Sequence, residues 1–147
     1  LINAGVLSWI LAQVIKLIYY FSRNRQVRLE RLTGAGGMPS AHSAVSCSVT
    51  MSALLNNGFS SPIFAVAFIL TLIVIYDATG VRWEAGLHAR TLNLLIDRVE
   101  AKLPEEERAA FRKEFPELNE SLGHRPIEAV FGALLGIAIA LVLQLAY

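Results

Sequence analysis

Residues 62–76 read Pro-Ile-Phe-Ala-Val-Ala-Phe-Ile-Leu-Thr-Leu-Ile-Val-Ile-Tyr, with no formal charge and with Thr71 as the only polar side chain before the closing Tyr76. Continued to about Val81, the stretch gains a single charge, Asp77. A helix that crosses a bilayer needs about 20 mostly apolar residues. This segment meets that demand, and it sets how the rest of the chain is read. The polypeptide has 147 residues, 54% hydrophobic and 17% charged, with thirteen Lys and Arg against twelve Asp and Glu. Soluble domains carry about 25% charged residues. The composition excludes a disordered chain, a collagen and, with one cysteine, a disulfide scaffold. A formal net charge of +1 also argues against nucleic acid as a partner held by bulk charge.

The charges leave three bare stretches, 1–15, 32–76 and 129–147. Leu1 to about Phe21 reads as a span interrupted only by Lys16. That lysine is either a snorkelling anchor or a functional group, and Tyr19 and Tyr20 suit the headgroup level. The middle stretch divides at the turn cluster Asn56-Asn57-Gly58-Phe59-Ser60-Ser61-Pro62. Ser40 to Leu55, rich in Ser and Ala, reads as a helix buried among the other spans. About Pro126 to Tyr147 forms the last span. Its Gly132 and Gly136 make a small-xxx-small face, for packing within the chain or for a homodimer contact. Cys47 reads as a small packing residue.

Between these spans lies a hydrophilic insert, about 82–125. Leu92, Leu95, Ile96, Val99 and Leu103 recur at helical spacing, which predicts an amphipathic helix ended by Pro104. Glu105–Phe115 predicts a second, short helix. The expected fold is therefore all-α: one integral membrane domain over 1–147, a bundle of about four spanning helices plus amphipathic helices in the insert. With four spans, the termini and the 56–62 turn fall on one side. Segments 22–39 and 82–125 fall on the other, which the positive-inside rule makes cytoplasmic.

Ionisable residues converge on that second side. Lys16 and Arg23 close the first span, Gly36-Gly37-Met38-Pro39-Ser40-Ala41-His42-Ser43 opens the second, Asp77 and Arg82 close the third, and His124 and Glu128 open the fourth. A glycine-rich run before a helix (Gly34, Gly36, Gly37) offers backbone N–H groups and a positive dipole end to an anion. Lys16, Arg23 and Arg82 suit a phosphate. Glu128 lies one helical turn after His124, so its carboxylate can hold one imidazole nitrogen and leave the other free as nucleophile or base. The plainer alternatives are an ordinary Gly-Gly turn, interfacial anchors and a helix-end contact.

Pro39-Ser40-Ala41-His42-Ser43 resembles the Pro-Ser-Gly-His signature of the type 2 phosphatidic acid phosphatase and vanadium-dependent haloperoxidase superfamily. With Tyr76-Asp77-Ala78-Thr79-Gly80-Val81-Arg82 and Leu122-Gly123-His124-Arg125-Pro126-Ile127-Glu128, nearly the whole chain resembles a divergent membrane branch of it. Lys16, six residues and Arg23 match the start of the first motif, with Asn24 where that motif has Pro. Ala41 stands where the second has Gly. The third motif, Ser-Arg, five residues, His, three residues, Asp, fits in two ways. Arg82 and His88 match its first half, with Leu92 at the carboxylate position; His124 and Glu128 match its second half. The second layout is preferred, with Arg82 as a phosphate ligand and His88 the minor alternative.

The resemblance implies hydrolysis of a lipid phosphate or diphosphate through a phosphohistidine, without metal or other cofactor. It implies His124 as nucleophile, Glu128 as its orienting partner and His42 as acid and base. Lys16, Arg23, Arg82 and the backbone near Gly37 and Ser40 would hold the phosphoryl oxygens, with Asp77 in support. The implied partners are membrane lipids and a phosphorylated lipid substrate. The rival readings are a non-catalytic phosphate- or headgroup-binding membrane protein and, on Asp77 and Lys16, a transporter.

Overall fold

The structure, a computed structural model, describes residues 1–24 and 37–146, the side chains of Arg23 and Asn24 excepted. Every regular element among the described residues is helical. In chain order these are α1 (Ile2–Asn24), α2 (Ala41–Asn57), α3 (Pro62–Tyr76), a π-helical turn (Asp77–Val81), α4 (Arg82–Glu100), α5 (Glu105–Glu114) and α6 (Pro126–Ala146). Three helical stretches are long and apolar enough to cross a membrane: Ile2–Ser22, Pro62–Glu100 and Pro126–Ala146. They form, with the remaining helices, the helical membrane bundle that the apolar stretches predict.

Local chemistry sets the ends. Ser40 caps α2, its hydroxyl accepting from the Ser43 N–H at 3.3 Å, and Gly58 follows its end at φ 79°. Ser61 caps α3 in the same way through the Ile63 N–H, with Pro62 in the first turn, where its missing donor costs nothing. Glu105, Glu106 and Glu107 begin α5, and Arg112 and Lys113 end it, each complementing the helix dipole. Arg112 also pairs with Asp97 and Glu100, tying α5 to α4.

The third span and the first insert helix are one object. Pro62–Glu100 runs for 39 residues without a break, about 58 Å at 1.5 Å per residue. A hydrocarbon core is about 30 Å thick, so the charged half, α4, projects from the membrane as a rigid extension. Charge begins at Asp77 and becomes frequent from Arg82 on, and the helix runs unbroken through this change in composition.

α2 is the centre of the bundle, with α1, α3 and α6 packed against it. Its 17 residues rise about 25 Å, and its Ser43, Ser48, Thr50 and Ser52 are buried. Such a helix suits neighbouring helices better than lipid. The Thr71 hydroxyl donates to the Ser46 carbonyl at 3.0 Å and lies 2.7 Å from the Thr50 hydroxyl, joining α3 to α2. The outer faces of α3 carry exposed Val66, Ile69, Leu70 and Ile73, as a lipid-facing helix should.

On α6 the buried stripe is Ala129, Gly132, Gly136, Ile139 and Ala140. A Cβ on Gly132 would collide with the Ser40 carbonyl oxygen, and one on Gly136 with that of Ala44. The glycine face is thus occupied by α2 of the same chain, and a homodimer contact through it would require α2 to leave.

Gly132→Ala and Gly136→Ala are expected to destabilise the detergent-purified protein by about 1–3 kcal/mol each, the usual cost of overpacking. Thermal unfolding followed by circular dichroism checks this, with exposed Leu134→Ala as the control that leaves the midpoint nearly unchanged.

Candidate functional site at one end of the bundle

The packing of α6 on α2 brings the start of one helix against the start of the other. The Ser40 N–H donates to the Glu128 carbonyl at 2.9 Å. His42 follows on the first turn of α2, and its ring centroid lies 5.8 Å from that of His124, edge to face. His124 is 1% exposed, whereas His42 is exposed.

His124 is held on two sides. Its N–H donates to the Ala78 carbonyl at 2.8 Å, inside the π-helical turn. Its ring Nδ1 lies 3.1 Å from Glu128 Oε2, and the same oxygen accepts from the Arg125 N–H at 3.3 Å. A carboxylate can only accept, so the proton of a neutral imidazole sits on Nδ1. Nε2 then carries the lone pair. That atom is buried and has no hydrogen-bond partner among the described residues, a rare condition for a buried polar atom unless it serves chemistry or a ligand.

Lys16 reaches the same place from α1. Ala4, Ser8, Ala12 and Lys16 are the successive buried positions of that helix at a spacing of four, and Lys16 is 6% exposed. It therefore faces inward and does not snorkel. Its methylene stem packs on Gly37, where a Cβ would stand 3.5 Å from Lys16 Cδ, and Gly37 has φ 99°. Lys16 interacts electrostatically with Glu128. His42 feels the charges of His124, Arg82, Lys16 and Asp77. These six ionisable groups, from four helices, the π-helical turn and the segment that leads into α6, form one cluster.

Two candidate ligands are already engaged. Arg82 Nε donates to Asp77 Oδ2 at 2.6 Å in an exposed pair, which leaves its Nη donors for another acceptor. The Ser40 hydroxyl serves the cap by accepting the Ser43 N–H and the Ser40 N–H serves Glu128, so the backbone donors left for an anion are the Ala41 and His42 amides. His88 is exposed on α4, away from these contacts. The Arg23 side chain, Gly34 and Gly36 lie outside the described residues.

The sequence reading missed Ala78, whose carbonyl anchors His124, and Gly123. At Gly123, φ is 76° and a Cβ would collide with the backbone of Arg82 and Trp83. The signal was present in part: a glycine three residues before a Pro-initiated helix marks a turn.

A helical membrane protein with two histidines, a buried lysine and a helix N-terminus gathered at one membrane face is the class this geometry defines. The sequence comparisons place it further. The family described as "Divergent PAP2 family" matches residues 1–139. The chain is 40% identical over 137 residues, 91% of this chain and 87% of the other, to a Bacillus subtilis (strain 168) protein named "Uncharacterized membrane protein YuiD". No solved structure matches. The chain belongs to the divergent PAP2 family and is an integral membrane protein.

Lys16→Met is expected to weaken binding of inorganic vanadate to the purified protein by about tenfold or more, the worth of one charge-assisted contact. Calorimetric titration reads this directly.

Proposed function

We propose that the protein is a membrane phosphatase acting on a lipid phosphate or diphosphate through a phosphohistidine at His124. The observation that carries this reading is the imidazole of His124, with Nδ1 on Glu128 and an unpartnered Nε2 beside His42.

In this reading Nε2 attacks phosphorus, and the bond from phosphorus to the leaving oxygen breaks. Protonated His42 gives its proton to that oxygen. Glu128 stabilises the imidazolium character that develops on His124. His42, now neutral, takes a proton from water as the water attacks the phosphohistidine, releasing phosphate and restoring His124. Lys16, Arg82, Arg23 and the first-turn amides of α2, beside Gly37, stabilise charge on the equatorial oxygens, and Asp77 orients Arg82.

A lipid substrate is favoured by an apolar groove of about 570 Å³ between α2 and α3, lined by Ser46, Val49, Ile63, Val66 and Leu70. One lining residue, Ser46, lies one turn from His42, whose carbonyl accepts the Ser46 hydroxyl at 2.8 Å. The positive-inside rule favours a cytoplasmic site, because Arg23, Arg25, Arg28 and Arg31 follow the first span in the sequence.

Purified protein is expected to release phosphate from at least one member of a panel of phosphatidic acid, phosphatidylglycerol phosphate and polyprenyl diphosphates. His124→Ala and His42→Ala should each lower that rate by about 100-fold or more while the detergent-solubilised protein stays monodisperse. Vanadate binding without turnover of any substrate would instead favour a headgroup-binding protein.

A further inference from the structure

His124 arrives on an irregular segment, residues 116–125, that doubles back along α4. The course of this strap can be followed contact by contact. At its far end Asn93, 5% exposed, donates from Nδ2 to the Leu118 carbonyl and to Glu120 Oε1, both at 2.9 Å, and accepts the Leu118 N–H at 2.9 Å. Two helical turns nearer the membrane, Gly86 lets the carbonyls of Glu120 and Leu122 lie against the α4 backbone, 3.0 and 2.8 Å from where its Cβ would be. Gly123 then packs on Arg82 and Trp83, and the His124 N–H reaches Ala78.

The lengths match. From Asn93 back to Ala78 the helix rises about 22 Å. The six residue steps from Leu118 to His124 span about 20–22 Å when extended. The strap is therefore close to straight between its anchors, with little slack to absorb a shift at either end. We propose that Asn93 is a positioning residue for His124: by clamping Leu118 and Glu120 it sets the length of strap that delivers the imidazole to Glu128 and His42. The consequence for turnover rests on the reading of His124 as nucleophile; the consequence for the position of its imidazole does not.

Three measurements test this on the full chain. Asn93→Ala is expected to lower kcat by about 10- to 100-fold, the scale of a misplacement near 1 Å, with KM nearly unchanged. The ¹⁵N shifts of the His124 imidazole, which report its Nδ1 partner without any need for turnover, should move in the same variant. In case Asn93→Ala fails to fold, one glycine inserted after Ser121 leaves the Asn93 contacts in place and adds a residue of slack, and it should give the same kcat loss and the same change in imidazole shifts. Wild-type shifts in both variants would overturn the proposal, as would a wild-type kcat in a folded Asn93→Ala protein. Absence of turnover in the wild type overturns the phosphatase reading alone, because the imidazole shifts then still decide the role of Asn93.

Discussion

The backbone contact between α6 and α2 is what the rest of the arrangement depends on. Gly132 and Gly136 stand one turn apart and rest on the carbonyls of Ser40 and Ala44. Between membrane helices there is little hydrophobic gain, because lipid is as apolar as leucine; close van der Waals contact and hydrogen bonds must supply the association. Removing two side chains lets the backbones approach, and the approach fixes the register. In that register the Ser40 N–H meets the Glu128 carbonyl, and His42 on the first turn of α2 faces His124 just before α6. The site is a by-product of how tightly these two helices pack.

The charge balance of the cluster follows from its partners. Lys16 and Arg82 are opposed by Glu128 and Asp77, so with neutral histidines the described groups sum to zero. A buried lysine in a span is costly unless it is paired or serves a ligand, and among the described residues Glu128 is the acidic group that offsets the burial of Lys16. An incoming phosphate would add acceptors for the Lys16 ammonium and the free Arg82 Nη groups. It would also favour the protonated form of His42, the form a general acid must have. Anion binding and acid catalysis would thus be coupled by electrostatics alone.

Much of the architecture was legible from charge placement. The apolar stretches became α1, α3 and α6, and the polar Ser40–Leu55 stretch became the enclosed α2. The helical spacing of apolar side chains in 92–103 gave the second half of α4 but not its start at Arg82, and the proline at 104 gave α5 nearly to the residue. The continuity of α3 into α4 was not visible, because a change from apolar to charged residues reports the solvent and says nothing about the backbone. The inward face of Lys16 was legible in principle: Ala4, Ser8 and Ala12 are small, and Lys16 continues their spacing. Asn93, Gly86 and Ala78 were illegible, since their partners are distant in sequence and an asparagine or glycine on an exposed-looking helix carries no local mark of a long-range contact.

The strap also bears on the two layouts of the third motif, since it sets which histidine lies near Arg82. In the resembled superfamily the arginine and histidine of that motif are close in sequence, a spacing that Arg82 and His88 would preserve. His88, however, is exposed on α4, whereas Gly123 lies directly on the backbone of Arg82 and Trp83. The hairpin of α4, α5 and strap leaves the bundle at Arg82 and returns to the same turn. An insertion whose ends meet is tolerated because closing it costs only a slowly growing entropy, provided the return is held. The close approaches at Gly86 and Gly123, the Asn93 clamp and the Ala78 carbonyl hold it. The π-helical turn explains why the last of these is available: widening the helix there shifts the Arg82 N–H to the Asp77 carbonyl, and the neighbouring Ala78 carbonyl accepts from His124. One irregular turn thus both pairs Asp77 with Arg82 and anchors the histidine, so residues far apart in sequence meet in space.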